Sequence, residues 1–283
     1  MLYRFKCILF IFFLTMGASL SGMAKGFVTT PEIHEGEYIT VNGLPMYIEQ
    51  TGKGRALVLL HGGLSTIQKS FEKQIEAFSK NHHVIAIEQI GHGHTPDAGI
   101  PFSYTQMAKD TVKVLRSLNV KDADIVGWSD GGILALIIAG KHSELVHRVV
   151  VSGANTELVG LPPAEVQAIQ ESSGEELAQN MPPSEHYNKV SPDGPEHWPA
   201  VVKKVWDMWI TPVVIKKEDL AKILAPVLVV CGDSDIIPLE HTIEIFKSLP
   251  NAKLLVLPGT GHHTFNEAAD TINPIILTFL DAP

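Results

Sequence analysis

Cysteine is nearly missing from this chain: Cys7 and Cys231 are the only two in 283 residues. If the N-terminal 24 residues are removed, as argued below, Cys231 stands alone and no internal disulfide can form. Cysteine counting then neither supports nor opposes export. Cys231 ends an apolar run, a place that suits a small buried side chain better than a nucleophile. Basic runs are missing too, as is any interleaving of aromatic with basic residues. With a formal net charge of −9, this excludes nucleic acid as a natural partner. There is no internal repeat and no low-complexity tract. What remains is ordinary soluble-globular composition, 45% apolar and 19% charged. It is long enough for one large domain with an insertion.

The N-terminus reads differently from the rest. Arg4 and Lys6 form a short basic region, an apolar stretch runs from Ile8 to Leu14, and Gly22 and Ala24 supply small residues at a cleavage site. This is the pattern of a secretory signal peptide over residues 1–24, cut before Lys25. The apolar stretch is shorter than the roughly 20 residues of a spanning helix. An uncleaved anchor is the competing reading. Cleavage would move the formal charge from −9 to −11 and send the protein to the periplasm or the medium.

From Glu37 the pattern alternates, with Asn42-Gly43 as a hairpin turn between Tyr38–Val41 and Met46–Glu49. Four runs then read as strands covered on both faces: Ala56–Leu60, His83–Ile87, Arg148–Val151 and Pro226–Val230. A further strand is expected at Lys253–Leu257, and another before Gly127. Helical spacing falls between them, at residues 66–80 and 105–118. Strands alternating with helices imply an α/β fold with a mostly parallel sheet. The alternation stops over residues 154–225, where His197–Trp209 shows a helical face of Val201, Val202, Val205, Trp206 and Trp209 opposite Lys203, Lys204 and Asp207. Pro199 suits its start and Pro212 its stop. The expected organisation is a core of residues 25–153 and 226–283 with a helical cap of residues 154–225 over the strand ends, where ligands bind in open sheets.

Chemistry concentrates at Gly127-Trp128-Ser129-Asp130-Gly131, a G-x-S-x-G segment between an apolar strand and an apolar helix. A serine on so sharp a turn needs glycine neighbours, because their Cβ atoms would collide. The plainer alternative is a strand-to-helix turn with a capping serine. A nucleophilic serine requires a base, a group to orient it and an oxyanion hole. Asp233-Ser-Asp235 follows one strand and Gly261-His262-His263 the last, in the chain order Ser, Asp, His. His61-Gly62-Gly63 ends an earlier strand, where the Gly63 N–H can join that of Asp130. His92 and His94 have a spacing that suggests metal at first sight, but without cysteine or carboxylate ligands expected nearby a loop reading is preferred.

Together the H-G-G, G-x-S-x-G, G-D-x-D-x-x-P and G-x-G-H segments make residues 37–280 resemble an α/β-hydrolase fold enzyme of the capped serine-hydrolase branch. Gly127–Gly132, with Gly153-Ala154-Asn155, resembles more closely the valacyclovir-hydrolase-like (biphenyl-hydrolase-like) esterases that act on amino-acid esters. The resemblance implies an eight-stranded, mostly parallel sheet flanked by helices. It implies Ser129 as nucleophile, His262 as base and Asp235 as acid, with Asp233 the alternative acid and His263 a neighbour or pocket residue. Gly63 and Asp130 would form the oxyanion hole; Asp130, Leu64, Trp128, Trp206, Trp209 and His263 would meet a small-molecule ester. No cofactor and no metal are implied. Glu88-Gln-Ile-Gly-His-Gly-His-Thr95 departs from the family's Asp-x-x-Gly-x-Gly-x-Ser at both ends. Ser129 at the elbow disfavours dehalogenase and epoxide-hydrolase chemistry, which use aspartate there. Carbon–carbon bond hydrolysis, aminopeptidase action and a catalytically silent binding role stay open.

Overall fold

The structure, a computed structural model, describes residues 36–157, 166–167, 171–182, 184–211 and 215–283. The expected leader, residues 1–24, and Pro212 lie outside them. No helix among the described residues is long and apolar enough to cross a membrane.

Eight strands form one sheet: β1 Glu37–Val41, β2 Leu44–Thr51, β3 Arg55–Leu60, β4 His82–Ile87, β5 Ala123–Trp128, β6 Val146–Ser152, β7 Val227–Gly232 and β8 Ala252–Leu257. Their order is β1-β2-β4-β3-β5-β6-β7-β8. β2 pairs antiparallel with β1 and β4, and every other pairing is parallel. The hairpin falls where the sequence places it. Asn42 and Gly43 both adopt positive φ, 54° and 83°, the left-handed pair that matches a tight turn to the strand twist.

Helices α1 Ile67–Phe78, α2 Tyr104–Ser117, α3 Asp130–Lys141, α8 Leu239–Ser248 and α10 Ala269–Leu280, the last preceded by the short α9 Thr264–Glu267, cover the sheet. The strand period of two divides the core into two layers. Leu57 and Leu59 of β3, Val126 and Trp128 of β5 and Leu228 and Val230 of β7 face α1 and α10. Val58, Leu60, Ile125, Val227 and Val229 face α2, α3 and α8. Leu57 to Leu60 are fully buried, each side chain contributing about 1.5–3 kcal/mol. Helix α3 is buried along nearly its whole length, Asp130 to Ala139. That burial explains why Ile133–Ala139 is apolar all round rather than striped.

Between β6 and β7 come α4 Gly174–Asn180, α5 Glu185–Val190, α6 Trp198–Ile210 and α7 Lys217–Leu220, with no strand among the described residues. Helix α6 opens with Pro199 in its first turn and buries Val201, Val202, Val205 and Trp206 as its periodicity requires. It also buries Trp198 and Met208. Its polar side departs from expectation at Lys204, which does not face solvent. Lys204 reaches back to the core at Asp97, 2.5 Å from its Oδ2, and His197 donates to the same oxygen at 2.9 Å. The Asp97 side chain is almost wholly buried. Burial alone would raise its pKa, but the bonds from Lys204 and His197 outweigh it and hold the carboxyl below its usual range. Trp209, on the same helix, touches the elbow. From the adjacent strands β3 and β5 the chain leaves to opposite sides of the sheet, to β4 and to β6, so the loops after β3, β5, β6, β7 and β8 converge under these cap helices, at the switch point where such sheets bind ligands.

Candidate active site

Ser129 sits between β5 and α3 at φ 53° and ψ −119°, a conformation that costs an L-residue about 1–3 kcal/mol and persists only where packing enforces it. The neighbours supply the room. A Cβ on Gly131 would lie 1.9 Å from the Leu60 carbonyl oxygen of β3, so only glycine allows this turn to pack against the next strand. Ser129 makes no capping bond to α3; its hydroxyl points instead to His262.

His262 Nε2 lies 3.0 Å from Ser129 Oγ, and His262 Nδ1 lies 2.7 Å from Asp235 Oδ1. A carboxylate can only accept, so Nδ1 carries the proton and Nε2 is free to accept from the serine hydroxyl. The Asp235 side chain is 1% exposed, and its Oδ1 also accepts from the Ile237 N–H at 2.9 Å. Asp233 is exposed and turned elsewhere. It accepts from the Gly259 N–H at 2.9 Å and from Ser234, bonds that hold its carboxyl below the usual range, and it ties the loop after β7 to the loop after β8. In position, Asp235, expected as the acid, reaches His262, and Asp233, the alternative, closes a loop. Gly153, at φ 61°, lies beneath the imidazole, and a Cβ there would come within 2.7 Å of His262 Cε1.

Gly63 and Asp130 lie side by side. A Cβ on Gly63 would lie 2.3 Å from Asp130 Oδ2 and 2.8 Å from the Trp209 ring. Neither backbone N–H donates to a protein acceptor among the described residues. The Asp130 carboxylate is buried. Oδ1 accepts from the Tyr104 hydroxyl at 2.8 Å, and Trp209 Nε1 is 3.1 Å from Oδ1 and 2.9 Å from Oδ2. No cation pairs with it among the described residues. Burial raises its pKa, and the Trp209 and Tyr104 bonds oppose that only in part.

The other expected contact residues take varied positions. Trp128 is buried; its indole N–H donates to the His262 carbonyl at 2.8 Å and its ring meets His263 at 4.5 Å, so it supports the histidine loop from below. His263 is held near pKa 4 by burial and by the neighbouring His262. Leu64 is buried at φ 50°. Trp206 lies behind Trp209, ring centres 6.3 Å apart. His92 and His94 diverge: contrary to the expectation of no carboxylate nearby, the fold brings Glu88 to His94 at 3.0 Å, whereas His92 binds the Ile90 carbonyl and the Leu64 N–H. Glu157, His241 and Glu244 form the group of possible metal ligands among the described residues, their atoms within 4.8 Å of one another. His241 Nε2 already accepts the Thr156 N–H at 3.1 Å, and Glu244 pairs with Lys217. Those bonds occupy the cluster as a brace at the start of the cap segment. Tyr104 and Gly153 are functional neighbours that motif reading does not assign. Tyr104 is 26 positions from Asp130 and carries no motif, while Gly153 belongs to the Gly-Ala-Asn run, to which the sequence by itself attaches no role.

Fold and site together define a hydrolase built on an α/β-hydrolase sheet. The chain belongs to the alpha/beta hydrolase family, whose model matches residues 57–274. It is similar to "Serine hydrolase BPHL" of Homo sapiens, 28% identical over 257 residues, covering 86% of this chain and 85% of that protein. This agrees with the biphenyl-hydrolase-like resemblance of the elbow segment. It is also similar to the 2-hydroxymuconate semialdehyde hydrolase of Pseudomonas putida, 25% identical over 279 residues, with 89% and 95% covered. A solved structure of Est816, described as an N-acyl homoserine lactone degrading enzyme, superposes with a TM-score of 0.71 at 25% identity, over 86% of this chain and 99% of that one.

Proposed function

We propose that this enzyme hydrolyses carboxylic esters through a covalent acyl-enzyme, with Ser129 as nucleophile, His262 as base and Asp235 orienting the base. The observation that carries the reading is the unbroken chain from Ser129 Oγ through His262 to Asp235, at 3.0 and 2.7 Å. His262 takes the serine proton as Oγ attacks the carbonyl, and Asp235 stabilises the imidazolium. The Gly63 and Asp130 N–H groups bind the oxyanion at the start of α3, where the helix dipole also favours negative charge. His262 then protonates the leaving alcohol and activates water to release the acid.

The preferred substrate carries a cation near the scissile carbonyl, as an α-amino-acid ester does. Asp130 supports this: its carboxylate is buried beside the hole, held by the neutral donors Tyr104 and Trp209 and joined in no ion pair among the described residues. A buried carboxylate in that state gains most from an arriving ammonium group. A carboxylate substrate, as the name of the Pseudomonas putida relative indicates, would meet like charge there. The test is a panel of p-nitrophenyl acyl esters against matched α-aminoacyl esters and their N-acetylated forms. Higher kcat/KM on the free-amine esters is expected; equal rates with and without the amine would overturn the cation preference.

A further inference from the structure

The Gly62-Gly63 pair creates a difficulty that the structure resolves with two histidines outside the Ser129–His262–Asp235 chain. An oxyanion donor works only if its N–H already points at the developing charge. Two adjacent glycines make the intervening peptide easy to flip, and a flip would replace the Gly63 N–H with the Gly62 carbonyl. In a planar trans peptide, the Gly62 C=O and the Gly63 N–H point in opposite directions. Fixing one therefore fixes the other.

His61 fixes the first. Its Nε2 accepts from the Gln89 N–H at 3.0 Å, so Nδ1 carries the proton and donates to the Gly62 carbonyl at 2.8 Å. His92 fixes the next peptide along. Its Nε2 accepts from the Leu64 N–H at 3.2 Å, so its Nδ1–H donates to the Ile90 carbonyl at 2.9 Å. Leu64 is thereby held at positive φ, 50°, which a leucine adopts only under constraint. The two rings lie 5.1 Å apart and are 2% and 3% exposed. Burial lowers both pKa values, that of His61 to about 3, so each stays neutral and keeps one nitrogen as acceptor. Among the described residues, no hydrogen bond joins His92 to Ser129, His262 or Asp235.

We propose that His92 is a positioning residue of the oxyanion hole, acting through the Leu64 N–H to keep the Gly63 N–H aimed at the substrate oxygen while His61 anchors the other side. The histidine whose spacing suggests a metal ligand thus serves acyl transfer without touching the substrate. The inference rests on the acyl-enzyme reading above.

Three variants test it, because amide side chains match different ends of the imidazole. Glutamine reaches as far as Nε2 and can accept from Leu64; asparagine reaches only as far as Nδ1; phenylalanine keeps the ring and no acceptor. On p-nitrophenyl acetate, His92→Asn and His92→Phe should lose about 10- to 100-fold in kcat with KM within about 2-fold. That lies just below the ~10²–10³ lost when a hole donor is removed outright. His92→Gln should stay within about 3-fold of the parent. Phenylboronic acid, whose serine adduct places an oxygen in the hole, should bind more weakly to the asparagine variant by the same factor as kcat falls. If His92→Phe does not fold, the contrast between glutamine and asparagine decides. Equal losses in those two, or an undiminished kcat in His92→Asn, would overturn the role of His92. A parent protein with neither ester turnover nor a boronate adduct would instead remove the acyl-enzyme reading itself.

Discussion

Trp209 of the cap helix donates its indole N–H to both carboxylate oxygens of Asp130, the residue after the elbow serine, at 3.1 and 2.9 Å. The cap and the reaction centre therefore share one buried charge. The cap helix is itself held to the core by Lys204 and His197 on Asp97, so the position of the Asp130 carboxylate depends on contacts well away from the serine.

Removing the Ser129 hydroxyl should abolish turnover without loss of fold. Ser129→Ala is expected to reduce ester hydrolysis by several orders of magnitude, on the ~10⁶ scale seen when such a nucleophile is lost. Circular dichroism should be unchanged and thermal stability close to that of the parent, because alanine keeps the Cβ and the same strained backbone. Asp235→Asn should be far more damaging than Asp233→Asn, and the reverse ranking would reassign the acid.

Asp130→Asn should trade activity for stability. Burial raises the folded-state pKa of Asp130, so the folded state binds its proton more tightly than the unfolded chain does. The resulting penalty is fully present above the folded pKa and vanishes below the ordinary aspartate range. The variant should therefore melt higher than the parent at pH 7 to 8, with the gap closing as pH falls toward 3. Its kcat/KM should drop much more on an α-aminoacyl ester than on the N-acetylated analogue. An equal drop on both would make Asp130 structural.

Gly153→Ala should damage catalysis out of proportion to its size. The new methyl would lie within 2.7 Å of His262 Cε1 at a backbone φ of 61°, and misplacing a catalytic group by about 1 Å costs up to ~10²-fold. kcat should fall while the distant core remains intact, so hydrogen exchange in β3 and β5 should match the parent. A fully active Gly153→Ala enzyme would show that the loop yields freely.

Asp97→Ala should loosen the cap. It leaves Lys204, about four-fifths buried, without its carboxylate, a change that costs about 3–5 kcal/mol when a buried pair is broken. Faster hydrogen exchange in α6 than in the sheet strands would locate the loss in the cap, whereas uniform acceleration would place it in the core.

Export is tested by the mature terminus. Expressed in a bacterium with its native N-terminus, the protein should be recovered from periplasm or medium beginning near Lys25. Intact mass showing Met1 retained on the cytosolic or membrane-bound protein would defeat the signal-peptide reading.

Much of this molecule is determined locally and was legible from the chain. The buried strands Leu57–Leu60 and Leu228–Val230, the Asn42-Gly43 turn and the Gly127–Gly131 elbow depend on burial on both faces, positive φ and the absence of Cβ atoms, which are properties of residue types in short windows. Ser129 and His262 were nameable for the same reason. What tertiary structure alone decided is which side chains meet across large separations. Asp235 rather than Asp233 faces His262 because Asp233, directly after β7, closes on the Gly259 N–H, and the turn that follows carries Asp235 into the site. Lys204 lies on the polar side of an amphipathic helix, yet the fold buries most of it against Asp97, 107 positions away. Tyr104 and Trp209 reach Asp130 from 26 and 79 positions away, and His92 reaches the Leu64 N–H across 28. A hydrogen bond is decided by angstroms and direction, and periodicity carries neither between elements; only the packing of sheet, loops and cap supplies them.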